Sequence, residues 1–325
     1  MNLNGNDLPK NSGIEWISND KLTWINIEKP TREKMKMLEI HYPFHELNIE
    51  DCLSKIQIPK VDRYGDHVFV ILHFPTMENK ESFPRSSQLA IFVGYDYLIT
   101  IHQGNLRALT EIFQICKINQ NQRNSFMGNS SGYLFHSIID LLVDDLLHIL
   151  IKVEGNLDDI EDLVFNERIA IAKEISHLRR EITTLKRLVY PLKRTILTIS
   201  REIQKFSEED LTLYFDDVKD HIDKVIEVLD ESKETIEIFK DTDFMLSAEK
   251  TNKILAILTI LFTLSIPATI AATYYGMNVN LPGGIETGET TFLGPYTTFI
   301  IIILISVIPA GAMIYGFKRK GWLEF

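Results

Sequence analysis

The alternation of apolar and polar positions divides the chain into three stretches. Residues 22–118 carry short apolar runs separated by polar breaks, residues 133–249 repeat apolar positions every three or four, and two uncharged runs occupy the carboxyl-terminal part. The first pattern predicts strands mixed with helices. Residues 23–27 form a short strand, and Pro30-Thr31 opens a helix through Ile40, with Thr31 as N-cap ahead of Glu33. Residues 68–74, 88–93 and 97–102 are rich in β-branched and aromatic side chains and are bounded by Pro, Gly and Asp, which predicts three more strands. Helical periodicity returns over 106–118, so the expected arrangement is a sheet with helices packed on it.

Residues 119–132 are polar and contain Gly128 and Gly132, which reads as a boundary. From 133 to 249 the only residues of their kinds are Gly155 and Pro191, and two or three long helices fill this part. The last starts near Glu208 and meets no strong breaker before the first uncharged run. Continued into it, about 65 residues would make a helix on the order of 95 Å long. Val218, Ile222, Val225, Leu229, Ile236 and Phe239 form an apolar stripe along its first half that predicts packing against other helices.

Residues 254–272 contain no ionisable side chain, and nineteen residues reach about 28 Å, close to the roughly 30 Å of a bilayer's hydrocarbon core. Residues 298–317 form a second apolar run of spanning length. Membrane helices are therefore expected at about 252–275 and 295–317. The domains expected are 1–128, an α/β domain; 129–250, a long helical stem; and 251–325, a membrane domain. The connection 274–297 has no Lys or Arg but holds Glu286 and Glu289; Lys250 and Lys253 precede the first span, and Lys318, Arg319 and Lys320 form a basic group after the second. The positive-inside rule puts both termini in the cytoplasm. Residues 1–15 lack the apolar core of a signal peptide.

Charge narrows the choice of partner. A net charge of −11 argues against nucleic acid and favours cations. Residues 168–205 hold ten Lys or Arg against three Glu, whereas residues 207–249 hold fifteen Asp or Glu against four Lys, so a basic helix beside an acidic one is expected. Asp216, Asp220, Asp223, Glu227, Asp230, Glu234, Glu237 and Asp241 share a helical spacing. They read either as a solvated face or, through Asp220, Glu227, Glu234 and Asp241 in heptad register with Asn252 and Leu255, as a cation-attracting cytoplasmic vestibule. Cys52 and Cys116 show no CxxC spacing and read as free thiols. No nucleotide loop, nucleophile and base pair, or metal triad stands out, which argues against an enzyme.

Within the first span Asn252, Leu255, Thr259, Ile266, Thr269 and Thr273 lie at helical spacing, a stripe with more small polar groups than its flanks. Such threonines often only bond their own i−4 carbonyl. Pro267 removes a backbone donor there. Two spans cannot enclose a polar path alone, so a pore requires an oligomer. Gly276-Met277-Asn278 follows the span, with Gly276 as a helix end and Tyr274 and Tyr275 as interfacial aromatics.

Several segments together resemble the CorA magnesium/cobalt transporter family of the Gly-Met-Asn superfamily. They are Tyr275-Gly276-Met277-Asn278 with Lys253 and Pro267 before it, the Phe317-Lys318-Arg319-Lys320-Gly321-Trp322-Leu323 ending, Pro59-Lys60-Val61, DLLVDD at 140–145, Pro191-Leu192-Lys193, and YFDDVKDH at 214–221. The resemblance implies an α+β fold: a cytoplasmic α/β sandwich, a long helical stem and two carboxyl-terminal membrane helices in a funnel-shaped homopentamer. It implies Gly276, Met277 and Asn278 at the selectivity mouth and Asn252, Leu255, Leu258, Thr259, Ile266 and Thr269 along the pore. The family often has Met at the position of Ile266 and near Leu255, so the constriction stays apolar here. Mg²⁺ would be both cargo and regulator, with Co²⁺ or Ni²⁺ as secondary cargo. The regulatory ion would sit between subunits on Asp217, with Glu78 a looser choice of partner. The implied location is the inner or plasma membrane.

A ring of Asn carbonyls suits Mg²⁺, which keeps its water shell and prefers oxygen ligands. Two other readings stay open. One is a zinc transporter of the same superfamily, although none of the nine His lies in a span or forms a Cys/His cluster, and His73 and His102 read as core or surface polar groups. The other is a membrane-anchored sensor without transport.

Overall fold

The computed structural model describes residues 13–20, 22–54, 57–77, 83–165, 171–277 and 297–321. It divides into two compact units, Met1–Asp243 and Phe244–Phe325.

The first unit is built on a six-stranded sheet, β1 (Glu15–Asn19), β2 (Leu22–Glu28), β3 (Lys60–Arg63), β4 (His67–Thr76), β5 (Arg85–Gly94) and β6 (Tyr97–His102), in the order β1-β2-β6-β5-β4-β3. Only β2 and β6 pair in parallel, in register from Thr23 with Tyr97 to Glu28 with His102; the other pairs are antiparallel. The period-two alternation splits each central strand between two cores. Ile25, Ile27, Phe69, Ile71, Phe92 and Ile99 face one core with Met35 and Leu38 of α1 (Arg32–His41) and Ile49 and Cys52 of α2 (Glu46–Leu53). Trp24, Val68, Val70, Leu89, Ile91 and Leu98 face the other, with α3 (Arg107–Ile118) and the helices that follow. The sheet is thus covered on both sides.

Five sequence expectations hold closely: β2, β4, β5 and β6 occupy the predicted strands, and the Thr31 hydroxyl caps α1 by accepting from Lys34 N. Four elements escaped the pattern. β1 and β3 are short edge strands, and α2 is capped by His45, whose Nδ1 accepts from Leu47 N. The polar stretch expected as a boundary holds a helix, α4 (Gln120–Met127), because the Asn119 side chain accepts from the amides of both Asn121 and Gln122.

Two long helices follow, α5 (Ser131–Val164) and α6 (Ala172–Ile203), and then α7 (Thr212–Tyr275), of which the part up to Asp243 belongs to the first unit. α7 begins at Thr212 rather than near Glu208. Asp210 takes the Thr212 amide, while the Gln204 side chain accepts from Leu211 N and donates to the Glu209 carbonyl, holding 207–211 out of the helix. All six residues of the predicted α7 stripe are buried, with Ser232 among them. Cys52 and Cys116 are free and buried, and burial pushes both thiols up.

The second unit contains the rest of α7 and α8 (Thr297–Arg319), which continue through Pro267 and Pro309. Both are long and apolar enough to cross a membrane, and only 6% of the apolar window of α7 and none of that of α8 is buried within the chain. Apolar side chains this bare need lipid or other copies of the chain to cover them.

Candidate functional site

The first group of functional side chains comes from two helix faces of the first unit. On α5, His136, Asp140 and Asp144 follow one another at four-residue spacing and share a face; on α7, Asp217 and His221 do the same. The packing of α5 on α7 brings one ligand atom each of Asp140, Asp144 and His221 within 4.8 Å of one another. His221 Nδ1 lies 3.1 Å from Asp144 Oδ1, in ion-pair range but without hydrogen-bond geometry, and His221 Nε2 lies 3.9 Å from Asp217 Oδ1. A cavity of about 730 Å³ opens beside them, lined among others by Tyr133, His136, Asp140, Asp144, Tyr214 and Asp217.

The electrostatics of the cluster favour a positive charge. Burial first, then the neighbouring Asp144 carboxylate, pushes the Asp140 carboxyl above its ordinary range. Burial lowers His136, although Asp140 acts in the other direction. Asp140 Oδ1 and His136 Nδ1 are buried without a hydrogen-bond partner. A divalent cation would satisfy the acceptors and relieve the repulsion between carboxylates. Carboxylates suit Mg²⁺ with part of its water shell, whereas an imidazole ligand also admits Co²⁺, Ni²⁺ or Zn²⁺.

Sequence reasoning reached Asp217 but assigned no role to Asp140, Asp144 or His221. The signal was in the DLLVDD and YFDDVKDH segments, whose four-residue spacings mark two faces but not that they meet. Local spacing places Asp217 beside His221, and helix packing adds Asp140 and Asp144 from α5, a grouping that local sequence does not show. His73 and His102 are buried and hydrogen-bonded, as expected of core histidines. Glu78 lies outside the described residues.

The acidic face of α7 resolves into two rows. Asp223, Asp230 and Glu237 pair with Lys193, Lys186 and Arg179 of α6, the basic helix beside the acidic one that the charge split predicted. The Lys186 hydrogen bond holds the Asp230 carboxyl below its usual range, with Tyr190 adding a second donor. Asp220, Glu227, Glu234 and Asp241 are all exposed. Of these, Asp220 and Asp241 contact only the adjacent Lys219 and Lys240, each at 3.4 Å, and Glu227 and Glu234 have no ion-pair partner among the described residues.

In the second unit Asn252, Leu255, Leu258, Thr259, Ile266 and Thr269 are all exposed in the single chain. The hydroxyls of Thr259, Thr269 and Thr273 donate to the carbonyls of Leu255, Ser265 and Thr269, the local bonding anticipated for threonines in a membrane helix. Gly276 directly follows α7 and its amide donates to the Ala272 carbonyl at 2.9 Å. A Cβ at 276 would lie 2.9 Å from that same oxygen, so a larger residue would have to shift the backbone here. Met277 is half-exposed, and Asn278 lies outside the described residues. Lys318 and Arg319 end α8, and Lys320 follows.

Comparison with known proteins agrees along the chain. A family model described as "CorA-like Mg2+ transporter protein" matches residues 19–319. A Bacillus subtilis (strain 168) protein named as a candidate metal ion transporter, YfjQ, is 27% identical over 329 residues, 98% of this chain and 95% of the relative. The cobalt/magnesium transport protein CorA of Thermotoga maritima is 25% identical over 310 residues, 93% of this chain and 83% of that one. The fold matches the complete structure of the CorA magnesium transporter from Methanocaldococcus jannaschii with a TM-score of 0.77 at 19% identity, over 94% of each chain.

Proposed function

Since the chain belongs to the CorA-like Mg2+ transporter family, we propose that it carries Mg²⁺ into the cell down the membrane potential, with Co²⁺ and Ni²⁺ as secondary cargo. This is a family of transporters rather than of enzymes. The working unit is a homopentamer in the inner or plasma membrane, with both termini in the cytoplasm. The observation that carries this reading is the stripe Asn252, Leu255, Thr259, Ile266 and Thr269, left exposed on α7 and leading to the turn at Gly276. Five such stripes facing one axis give an apolar constriction between polar rings, and Asn278 rings its outer mouth.

Energetics suffice without a pump. Two charges moved inward at 100 mV, inside negative, gain about 4.6 kcal/mol, from roughly 2.3 per charge. The exposed row Asp220, Glu227, Glu234 and Asp241 concentrates cations on the cytoplasmic side and repels anions. The basic group Lys318, Arg319 and Lys320 lies against the anionic inner surface.

Regulation is assigned to the cluster on α5 and α7. Cytosolic Mg²⁺ held by Asp217, with Asp140 and Asp144 beside it and Glu78 a partner across the subunit boundary, keeps the pore closed. Loss of the ion leaves carboxylates repelling one another and releases it. His221 in that cluster favours a second reading, in which a softer ion such as Zn²⁺ is the cargo.

The test is flux into liposomes holding the purified protein, under an inside-negative potential, with a Mg²⁺-sensitive dye and, in parallel, Zn²⁺ under a proton gradient. Mg²⁺ entry that Asn278→Ala abolishes supports the proposal. Zn²⁺ movement without Mg²⁺ entry transfers it to the zinc reading, and no flux of either ion leaves a membrane-anchored sensor.

A further inference from the structure

A second cavity in the first unit, of about 290 Å³, shares no lining residue with the Asp140–His221 site. Its volume is near the lower end of the roughly 300–1,000 Å³ typical of small-molecule sites. It lies at the amino-terminal ends of β4 and β6. Asp66 comes from the β3–β4 turn, Asp96 from the β5–β6 turn, Tyr97 from the start of β6, and His41 and Tyr42 from the end of α1.

Tyr42 and Tyr97 form the inner wall, and Asp66 and Asp96 stand exposed at the rim. The rings of Tyr42 and Tyr97 meet with centroids 4.6 Å apart at 56°, making an aromatic corner, and Phe44 stacks against Tyr42 from behind. A methyl group at Gly94 would overlap the Tyr97 ring, so glycine at 94 is what lets that ring lie there. The Asp96 carbonyl accepts from Thr23 N at 2.9 Å, which fixes the turn, and Asp66 Oδ1 accepts from His67 Nδ1 at 2.8 Å. Tyr42 is only 8% exposed, yet among the described residues neither its hydroxyl nor that of Tyr97 has a hydrogen-bond partner. The Asp96 carboxylate likewise has none among them. His41 Nδ1 donates to the Met37 carbonyl.

The chemistry selects a cation, and an organic one. The lining holds two carboxylates and no Lys or Arg. Burial, and then the Asp96 carboxylate, pushes the Tyr42 phenol up to about 12; burial and then Asp66 raise Tyr97 further, so both rings stay neutral. Among the described residues Asp66 and Asp96 join no third metal-type ligand within 4.8 Å. Aromatic faces beside separated carboxylates instead match alkylammonium groups, which only donate hydrogen bonds and are attracted to ring faces. We propose that this cavity binds an aliphatic polyamine, with ammonium groups on Asp66 and Asp96 and the methylene chain on the Tyr42 and Tyr97 rings. The chain would then sense organic as well as inorganic cations, whichever ion it carries.

Calorimetric titration of the full-length protein in detergent with spermidine tests this. One spermidine binds per chain, and Asp66→Asn, Asp96→Asn and Gly94→Ala each weaken it by roughly tenfold or more, the scale of a lost charge-assisted hydrogen bond. Tyr42→Phe, which keeps the ring, weakens it only a few-fold, and tyrosine circular dichroism establishes that each variant is folded. Three results overturn the proposal: no saturable binding, binding that persists in the Asp66→Asn/Asp96→Asn double variant, or displacement of spermidine by Mg²⁺ at equal concentration. The second would assign spermidine to the exposed acidic row of α7, and the third would mark an inorganic cation site.

Discussion

Two rows of carboxylates run along the same stretch of α7, with the same heptad spacing and the same residue types. Asp223, Asp230 and Glu237 are each paired with a cation of α6, whereas Asp220, Glu227, Glu234 and Asp241 have, among the described residues, at most the neighbouring lysine. The difference teaches that charge density in a sequence does not measure available charge. The first row joins two helices, and the second remains free to act on ions in solution.

The largest test concerns the apolar stripe that packs α7 within the first unit. Ile236 is fully buried on that stripe. Ile236→Ala should cost about 2–5 kcal/mol in denaturant unfolding. A cost below that of any single ion pair would mean that the paired row, and not the stripe, holds α7 in place.

Next is the exposed row. Replacing Asp220, Glu227, Glu234 and Asp241 by their amides should slow Mg²⁺ flux by up to about tenfold at low ionic strength, with the difference shrinking as salt rises. Thermal stability should stay within about 0.5 kcal/mol of wild type. An equal flux at all ionic strengths would reduce this row to a solvated face.

A smaller effect is expected from the paired row. Asp230→Lys should destabilise by about 1 kcal/mol, since the pair is partly exposed and screened, and adding Lys186→Asp should restore most of that loss. Without restoration the pair is incidental to the packing.

The smallest effect is on acid stability. The folded-state value of Asp230 lies below its unfolded one, so the unfolded chain binds more protons in that interval. The pair's contribution is complete above the ordinary Asp range and is lost as pH falls through the depressed value. Asp230→Asn should therefore flatten the acid limb of the stability profile, measured by thermal melts from neutral pH downward. An unchanged limb would show that other carboxylates set it.

How far the sequence could be read follows from the range of each signal. β2, β4, β5, β6 and the stripe of α7 are written in local periodicity, and each was legible. β1 has only Trp16 and Ile17 as apolar residues and exists because it pairs with β2. α4 buries Met127 alone and depends on its cap, which pattern reasoning ranks below composition. The basic and acidic helices were foreseen as neighbours, but which acids are paired depends on the register of α6 against α7. His221 is separated from Asp140 and Asp144 by more than a hundred ångströms of extended chain, and only packing of α5 on α7 unites them.

That register has its own consequence. Arg179, Lys186 and Lys193 ascend α6 in steps of seven while Glu237, Asp230 and Asp223 descend α7 in steps of seven, so the contact is a ladder whose rungs all have the same charge sense, one Arg–Glu and two Lys–Asp. Slipping one helix by a single step, about 10.5 Å, still matches two rungs of three. The ion pairs therefore act like the teeth of a rack, defining where the helices can stop but not which stop is taken. The choice falls to the uneven part of the seam, the small Ser232 buried between Leu229 and Ile236 on α7.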